Sequence, residues 1–198
     1  MPWTTNTASI PTVTEACCSA RISFDYGVFF RKRSGLYKVI MHSHYDDLPE
    51  DLSAALDILA SAATELDDPW WVFGGAAMAL SGLTEWRAPD VDILCSQRDA
   101  KALIKNLYGE VAPDPGEGMF KSRVFGQILT TPVPIEVMAD LEVRNGGEWT
   151  PVTFNSRIPV AIDGGRLYIP SVAEQIETCK LFGRPKDLQR AEQLQRLL

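Results

Sequence analysis

Three carboxylates in two apolar segments are the residues of this chain best suited to chemistry. Asp90 and Asp92 flank one valine at the start of the apolar segment 91–95. Alternate strand residues share a face, so these carboxylates project together, about 6–7 Å apart, which suits hard divalent cations. Glu136 interrupts the apolar segment 135–138, where a lone carboxylate is costly to bury. If the segments are adjacent strands, the acids converge, and two Mg²⁺ ions would relieve their repulsion.

Each of these acids also has a simpler interpretation. An isolated Asp-x-Asp such as residues 90–92 is more often a solvated strand end than a metal site. Glu136 could equally lie on the exposed face of an edge strand. These alternatives remain open at the level of the residues alone.

A pair of glycines, Gly74 and Gly75, separates the apolar segment 70–73 from a short helical stretch at 76–83. Glycine lets a backbone approach a phosphate closely, and the start of a helix offers N–H groups to an anion. Most glycine pairs are simply turns, and no Gly-Lys-Ser/Thr follows, which excludes a Walker phosphate loop. By itself the pair is therefore a weak phosphate-binding signal.

Hydrophobic periodicity predicts the elements that must position these residues. Apolar residues recur at helical spacing through 49–66, and further helices are predicted at 99–108, 172–182 and 186–198. Strands are predicted at 70–73, 91–95, 120–129, 135–138 and 167–169, with a proline- and glycine-rich loop at 112–118. This order of helices and strands predicts an α/β or α+β fold.

Composition and charge are those of an ordinary soluble globular domain. The 198 residues are 45% hydrophobic and 23% charged, with a formal net charge of −7. This acidic excess argues against broad nucleic-acid or anionic-membrane binding. No apolar run reaches the roughly 18 residues of a membrane span.

The first forty residues differ from the rest of the chain. They are net basic, begin with a Thr- and Ser-rich stretch over 1–20, and contain a predicted hairpin around Ser34 and Gly35. The acidic body begins just after Met41. We interpret residues 1–40 as an N-terminal extension that is partly disordered, and residues 41–198 as the main domain.

The cysteines indicate a reducing compartment. Cys17, Cys18, Cys95 and Cys179 lack the spacing of zinc ligands, and the adjacent pair cannot form an ordinary structural bridge. We interpret all four as free thiols. The N-terminus has no basic segment followed by an apolar stretch, so no secretory signal is expected. The sequence therefore predicts a cytoplasmic protein.

Taken in order, the motifs resemble the nucleotidyltransferase superfamily, with hydrophobic-Gly-Gly, then Asp-x-Asp, then a third acid in a later strand. The matching stretches are WVFGGAAMALSGLTEWRAPDVDILC at 71–95 and PIEVMAD at 134–140. A third stretch, CKLFGRPKDLQRAEQL at 179–194, looks like the Lys…Arg-x-Lys-Asp ending of bacterial nucleotidyltransferase-like proteins, including AbiEii-type toxins. The resemblance covers about residues 50–198. It implies a small mixed sheet with helices on one side.

The resemblance also implies roles for the acids and the glycine pair of the first two stretches. Asp90 and Asp92 would bind two Mg²⁺ ions. Glu136 would bind the metal nearer the acceptor and help to deprotonate the acceptor hydroxyl. Gly74 and Gly75 would hold the phosphates of the nucleotide.

Basic residues would complete the phosphate site. Lys180, Arg184 and Lys186 would form a basic wall for the β- and γ-phosphates, although cations near a helix end also simply satisfy its dipole. Asp187 would orient one of these lysines or cap the last helix. Arg87, three residues before Asp90, could reach a phosphate or could be a surface arginine.

The implied activity is Mg²⁺-dependent transfer of an NMP from an NTP, by in-line attack on the α-phosphate with pyrophosphate leaving. The acceptor would be a hydroxyl or phosphate of a small molecule, a tRNA or a protein, so nucleic acid enters only as an acceptor. A toxin with an antitoxin partner is one form of this function, and no membrane partner is expected. Two alternatives remain: a catalytically silent nucleotide-binding or interaction module on the same fold, and a metal-dependent phosphohydrolase.

Overall fold

The computed structural model describes residues 27–32, 35–40, 44–112 and 118–198, which belong to two units, Met1–Ile40 and Met41–Leu198. In the first unit, β1 (Gly27–Lys32) and β2 (Gly35–Ile40) pair antiparallel, as the predicted hairpin requires. Ser34 at its turn, the stretch 1–20 with Cys17 and Cys18, and most of the predicted loop 112–118 lie outside the described residues.

The second unit is built of helices and strands through residues 44–198. Its α-helices are α1 (Glu50–Ala62), α2 (Gly74–Leu80), α3 (Gln97–Asn106), α4 (Val172–Phe182) and α5 (Pro185–Leu194). Its strands are β3 (Trp71–Phe73), β4 (Val91–Leu94), β5 (Glu110–Val111), β6 (Phe120–Lys121), β7 (Val124–Ile128), β8 (Ile135–Ala139), β9 (Glu142–Asn145), β10 (Glu148–Pro151), β11 (Ile158–Ile162) and β12 (Gly165–Ile169). Short 3-10 helices occupy His44–Asp47, Ala63–Glu65 and Gln195–Leu197.

A mixed five-stranded sheet forms the centre of this unit, with the strand order β3-β4-β8-β7-β5. Strands β4 and β8 are parallel, and the other neighbours are antiparallel. One face packs on α1 and α3 through a continuous apolar core that includes Leu56, Ile93 and Leu103. The fold is therefore α/β with a mixed sheet flanked by helices, as the sequence predicts.

The opposite face of the sheet is only partly covered. A small three-stranded sheet, β10-β9-β6, packs there with the end of α4, around Met138, Val143 and Phe182. Hydrophobic side chains fill one part of this face, and the remaining part carries Asp92 and Glu136. This incomplete cover leaves room for a cavity over the two acids.

Some local predictions differ from the structure. The single strand predicted over 120–129 is wrong, because the chain changes partners at Ser122: β6 pairs with β9, whereas β7 pairs with β8. The last helix begins at Pro185, which suits the first position of a helix, and gives way to a 3-10 turn after Leu194. Within the described residues, none of the helices combines the length and hydrophobicity needed to cross a membrane.

Candidate active site

Two of the predicted acids meet on neighbouring parallel strands. Asp92 of β4 and Glu136 of β8 are register partners, so their side chains lie on the same face of the sheet. Asp90 comes just before β4, and all three acids line one cavity of about 330 Å³. This volume lies within the range of small-ligand sites. The sequence predicted that the acids converge if their two segments are adjacent strands. The strand order meets this condition.

Burial and mutual repulsion change the protonation of these acids. Burial raises the pKa of Asp92, the charges of Asp90 and Glu136 raise it further, and its pKa reaches about 8 although Arg184 and Arg190 lower it. Burial also raises the pKa of Asp90, against the opposing charges of Lys186 and Arg190. A nearby cation would favour the ionised form of both groups.

The donor set fits a divalent cation, but the side chains do not form a preformed cage. In the part of the chain that the structure describes, no three His, Cys, Asp or Glu side chains are arranged to hold a metal ion as they stand. Carboxylate oxygens are nevertheless the ligands that Mg²⁺ prefers, and a buried carboxylate beside two others gains most from a cation. The Mg²⁺ site thus remains a prediction.

Glycine is required at position 74 for two separate reasons. Gly74 has a φ of +64°, a left-handed conformation that side chains disfavour. A Cβ there would lie 2.3 Å from Oδ2 of Asp92, far inside van der Waals contact. Helix α2 begins at this glycine, two residues earlier than predicted. The backbone between β3 and α2 therefore passes directly over the Asp92 carboxylate.

The start of α5 brings basic groups to the same cavity. Arg184 and Lys186 both line it, together with the buried Asp187. Arg184 donates from Nε to Oδ2 of Asp187 at 2.5 Å and from Nη2 to Oδ1 at 3.1 Å. Asp187 thus orients an arginine rather than a lysine. It does not cap the helix either, because the N-cap position is Arg184 and makes no side-chain capping bond.

Two of the predicted phosphate ligands point elsewhere. Nζ of Lys180 pairs with Oε1 of Glu177 at 2.7 Å, and Nη2 of Arg87 bonds to Oδ2 of Asp51. Neither side chain lines the cavity. Helix α4 ends at Phe182 and Gly183 turns the chain with a φ of +69°, so Lys180 and Arg184 do not share a helix face.

Among the polar residues of the cavity region that were not predicted from the sequence, Gln127 and Arg190 are the two that bear on the proposed site. Nε2 of Gln127, the register partner of Glu136 on β7, donates to Oε1 of Glu136 at 2.8 Å. Arg190 lines the cavity one helical turn beyond Lys186. The spacing of four residues between Lys186 and Arg190 is a signal that could have indicated a shared helix face. Gln127 had no comparable signal, because its position depends on the pairing of β7 with β8.

Aromatic and apolar side chains form much of the remaining cavity wall. They come from the ends of β3 and β6, from β7, from the segment after β10 and from α4, and include Phe73, Phe120, Phe125, Phe154 and Phe182. The ring centroids of Phe120 and Phe182 are 4.9 Å apart, edge to face. The cavity therefore joins a charged region to an apolar one, which is typical of a ligand site.

No protein-family model and no curated protein matches the sequence, but solved structures share its fold. A Thermotoga maritima protein assigned to the nucleotidyltransferases matches with a TM-score of 0.60 and 18% identity, over 75% of this chain and 93% of that one. The lincosamide antibiotic adenylyltransferase LnuA, with lincomycin bound, matches with a TM-score of 0.50 and 12% identity, over 76% and 99% of the respective chains. Identities this low show the fold alone.

Proposed function

Because this chain has the fold of the nucleotidyltransferases, we propose that it transfers an NMP from an NTP to a hydroxyl or phosphate acceptor in a Mg²⁺-dependent reaction. The observation that carries the proposal is the register pair of Asp92 and Glu136, with Asp90 beside it in one cavity. Gly74 and Gly75 line the same cavity.

The acids would hold the metal and manage the proton. Asp90, Asp92 and Glu136 are the proposed ligands of Mg²⁺, which when bound supplies charge neutralisation for the triphosphate. Gln127 fixes Oε1 of Glu136 by its hydrogen bond. We assign Oε2 of Glu136 to accept the proton of the acceptor hydroxyl.

The basic residues would bind the phosphates. In a chain with a net charge of −7, Arg184 and Lys186 supply local positive charge on the cavity wall. Gly74 lets the backbone pass close to Asp92, since a Cβ at position 74 would lie 2.3 Å from Oδ2 of Asp92, and we assign the phosphate contact of Gly74 and Gly75 to their backbone. Lys180 and Arg87 have no part in this proposal, because their side chains lie outside the cavity.

Calorimetric titration of ATP, GTP, CTP and UTP tests the proposal, with Mg²⁺ and with EDTA, on the wild type and on Asp92→Asn. We expect one or more NTPs to bind only with Mg²⁺ and only to the wild type. The variant should fold but transfer no NMP, and the wild type should release pyrophosphate rather than phosphate, which would exclude a phosphohydrolase. Full activity of Asp92→Asn would contradict the metal assignment.

A silent nucleotide-binding module is the second candidate. It is favoured by one observation: the acids of the described residues do not form a preformed metal cage. NTP binding that is unaffected by EDTA, without pyrophosphate release in the presence of cell extract, would support this candidate over the enzyme.

The acceptor and the cellular role extend the same proposal. LnuA is described as acting on a lincosamide antibiotic, so small hydroxyl compounds are the first acceptors to test, followed by tRNA and protein. On the resemblance to AbiEii-type toxins, we extend the proposal to a role as a cytoplasmic toxin that an antitoxin restrains. Induced expression in a bacterial host should then arrest growth, and Asp92→Asn should not. Growth of both cultures would argue against the toxin.

A further inference from the structure

Arg190 is a cavity-lining cation without a role in the proposed site. Its side chain is 14% exposed and is carried by α5 beside Lys186. Its Nε is buried and, within the described residues, has no hydrogen-bond partner. A buried N–H group that lacks an acceptor calls for an explanation, and a ligand is one.

Asp187 does not supply the hydrogen-bond acceptor that Arg190 lacks. Both oxygens of Asp187 already accept hydrogen bonds from Arg184. Nη1 of Arg190 lies 3.9 Å from Oδ1 of Asp187, which is too long for a hydrogen bond. The two charges attract each other, but the pair leaves N–H donors of Arg190 available. Arg184 and Arg190 therefore differ: the first is fixed by a bidentate carboxylate, whereas the second is not.

An aromatic ring holds Arg190 without using its donors. The guanidinium carbon of Arg190 lies 5.5 Å from the ring centroid of Trp86. Trp86 is itself attached to α5, because its Nε1 donates to Oε1 of Gln193. A cation–π contact orients a guanidinium group through its face and leaves the N–H groups at its edge for another partner.

Arg190 lines the same cavity as both members of the Asp-x-Asp pair, Asp90 and Asp92. Arg184 lines it as well, but its guanidinium group already donates two hydrogen bonds to Asp187. A guanidinium group with donors available is well suited to bind a phosphoryl group between these acids.

We propose that Arg190 donates hydrogen bonds to the α-phosphate of the NTP, whereas Arg184 and Lys186 contact the β- and γ-phosphates. This assignment rests on the proposed function. In the reaction, the acceptor oxygen forms a bond to the α-phosphorus, and its proton passes to Glu136. The bond from the α-phosphorus to the bridging oxygen breaks, and that oxygen leaves with the electron pair as pyrophosphate. Arg190 stabilises the charge on the non-bridging oxygens throughout.

Nucleotides with three, two and one phosphates distinguish a contact of Arg190 with the α-phosphate from a general attraction of the whole phosphate chain. The affinities of the best-bound NTP and of its NDP and NMP are measured for the wild type, Arg190→Met and Lys186→Met. We expect Arg190→Met to weaken all three nucleotides by a similar factor of about tenfold or more. Lys186→Met should weaken the NTP and leave the NMP unchanged. Arg196→Met is the matched control, because Arg196 is exposed on the same C-terminal segment and does not line the cavity.

Further measurements guard against a folding defect. Arg190→Lys keeps the charge but loses the planar fork, so it should fold, bind more tightly than Arg190→Met, and alter the α-phosphorus signal of the bound NTP in ³¹P NMR. Wild-type affinity of Arg190→Met for all three nucleotides would refute the inference and leave the proposed function intact. A loss confined to the NTP would place Arg190 on the β- or γ-phosphate instead. If no nucleotide bound to the wild type, the proposed function itself would fail.

Discussion

Gly74 and Asp92 illustrate how single residues of the cavity constrain one another. The Asp92 carboxylate lies against the backbone of Gly74, so a Cβ at position 74 would collide with it. Asp92 is also buried beside two further acids, which raises its pKa. Both features cost stability, and both have an explanation if a cation and a phosphate bind there.

The metal-free protein should lose stability as the pH rises, because of Asp92. Its pKa rises from an ordinary value of 3.8 to about 8 in the folded state, so folding takes up a proton between these pH values. The contribution of Asp92 protonation to the free energy of unfolding is complete below pH 4. It falls by at most about 1.4 kcal/mol per pH unit as the pH rises, and it is lost once the pH has risen through 8. Denaturant unfolding in EDTA from pH 4 to 9 measures this slope.

Asp92→Asn should flatten that dependence, because a neutral amide resembles the protonated acid. Near pH 8 the variant should be more stable than the wild type. Asp46→Asn, at an exposed position, is the control and should leave the slope unchanged. An identical slope in the wild type and Asp92→Asn would show that other groups cause the dependence.

Gly74→Ala should abolish nucleotide binding and destabilise the fold. The left-handed backbone costs an alanine about 1–2 kcal/mol, and the Cβ must in addition displace Oδ2 of Asp92. Gly146→Ala is a matched control: its φ is +60°, but nothing lies within 4 Å of the added Cβ. Calorimetry and denaturant unfolding should show strain alone in the control. Equal stability losses in both variants would mean that the Asp92 carboxylate moves away from the added Cβ without loss of stability.

At the scale of elements, the site depends on how tightly α3 packs on the sheet. Gly126 of β7 faces the helix, and a Cβ there would lie 2.4 Å from Cδ1 of Ile104 and 2.9 Å from the carbonyl oxygen of Glu110. Strand β7 in turn holds Gln127 against Glu136. A small residue at position 126 thus sets the spacing of the helix and the strand beside the acids.

Gly126→Ala should therefore destabilise the protein by about 1–3 kcal/mol, the usual cost of overpacking. Ile104→Val in the same chain should recover part of that loss, since it removes the Cδ1 atom that a Cβ would meet first. Gly118→Ala is the control, with its nearest contact at an ordinary 3.5 Å. Denaturant midpoints measure all three. A Gly126→Ala variant as stable as the wild type would show that α3 shifts freely.

The helices and strands that form the site were predicted from the sequence more accurately than the strands around the site. Strands β4 and β8 and helix α4 follow from hydrophobic patterning, because each buries a regular apolar face. Strands β9 and β10 were not predicted, since they are short and polar, although Gly146-Gly147, the two-residue loop between them, is a hairpin signal. Strand β11 was missed as well.

Side-chain partners were harder to predict than elements. Arg87 pairs with an acid 36 residues away, and Arg190 reaches the acids only through the packing of α5. Neither relation has a local sequence signal. The Asp92–Glu136 pairing was expected only on the condition that the two strands are neighbours.

At the scale of the whole molecule, the described residues separate into a hairpin unit and the unit that contains the cavity. Every residue named in the site belongs to Met41–Leu198. This second unit has its own continuous apolar core, built from α1, α2, α3 and the central sheet. A chain of this size buries enough surface to fold without disulfides or metal.

We therefore expect residues 41–198 to fold without the first forty residues. The shortened protein should unfold cooperatively and bind the same NTP as the full chain, because the core and the cavity are retained. Differential scanning calorimetry and nucleotide titration of both proteins measure this. Loss of a cooperative transition in the shortened protein would show that the N-terminal segment is part of the fold.

The parallel pairing of β4 with β8 has a kinetic consequence. The other neighbouring strands of the central sheet are closer in sequence, whereas residues 95–134 separate this pair. Such distant contacts form slowly, because a long loop must close before any pairing stabilises it. Asp92 and Glu136 meet only in that step, so either Asp92 takes up a proton there or, above a pH of about 8, the two charges repel each other. The same two acids that would serve the reaction should thereby slow the folding of the metal-free chain most at high pH.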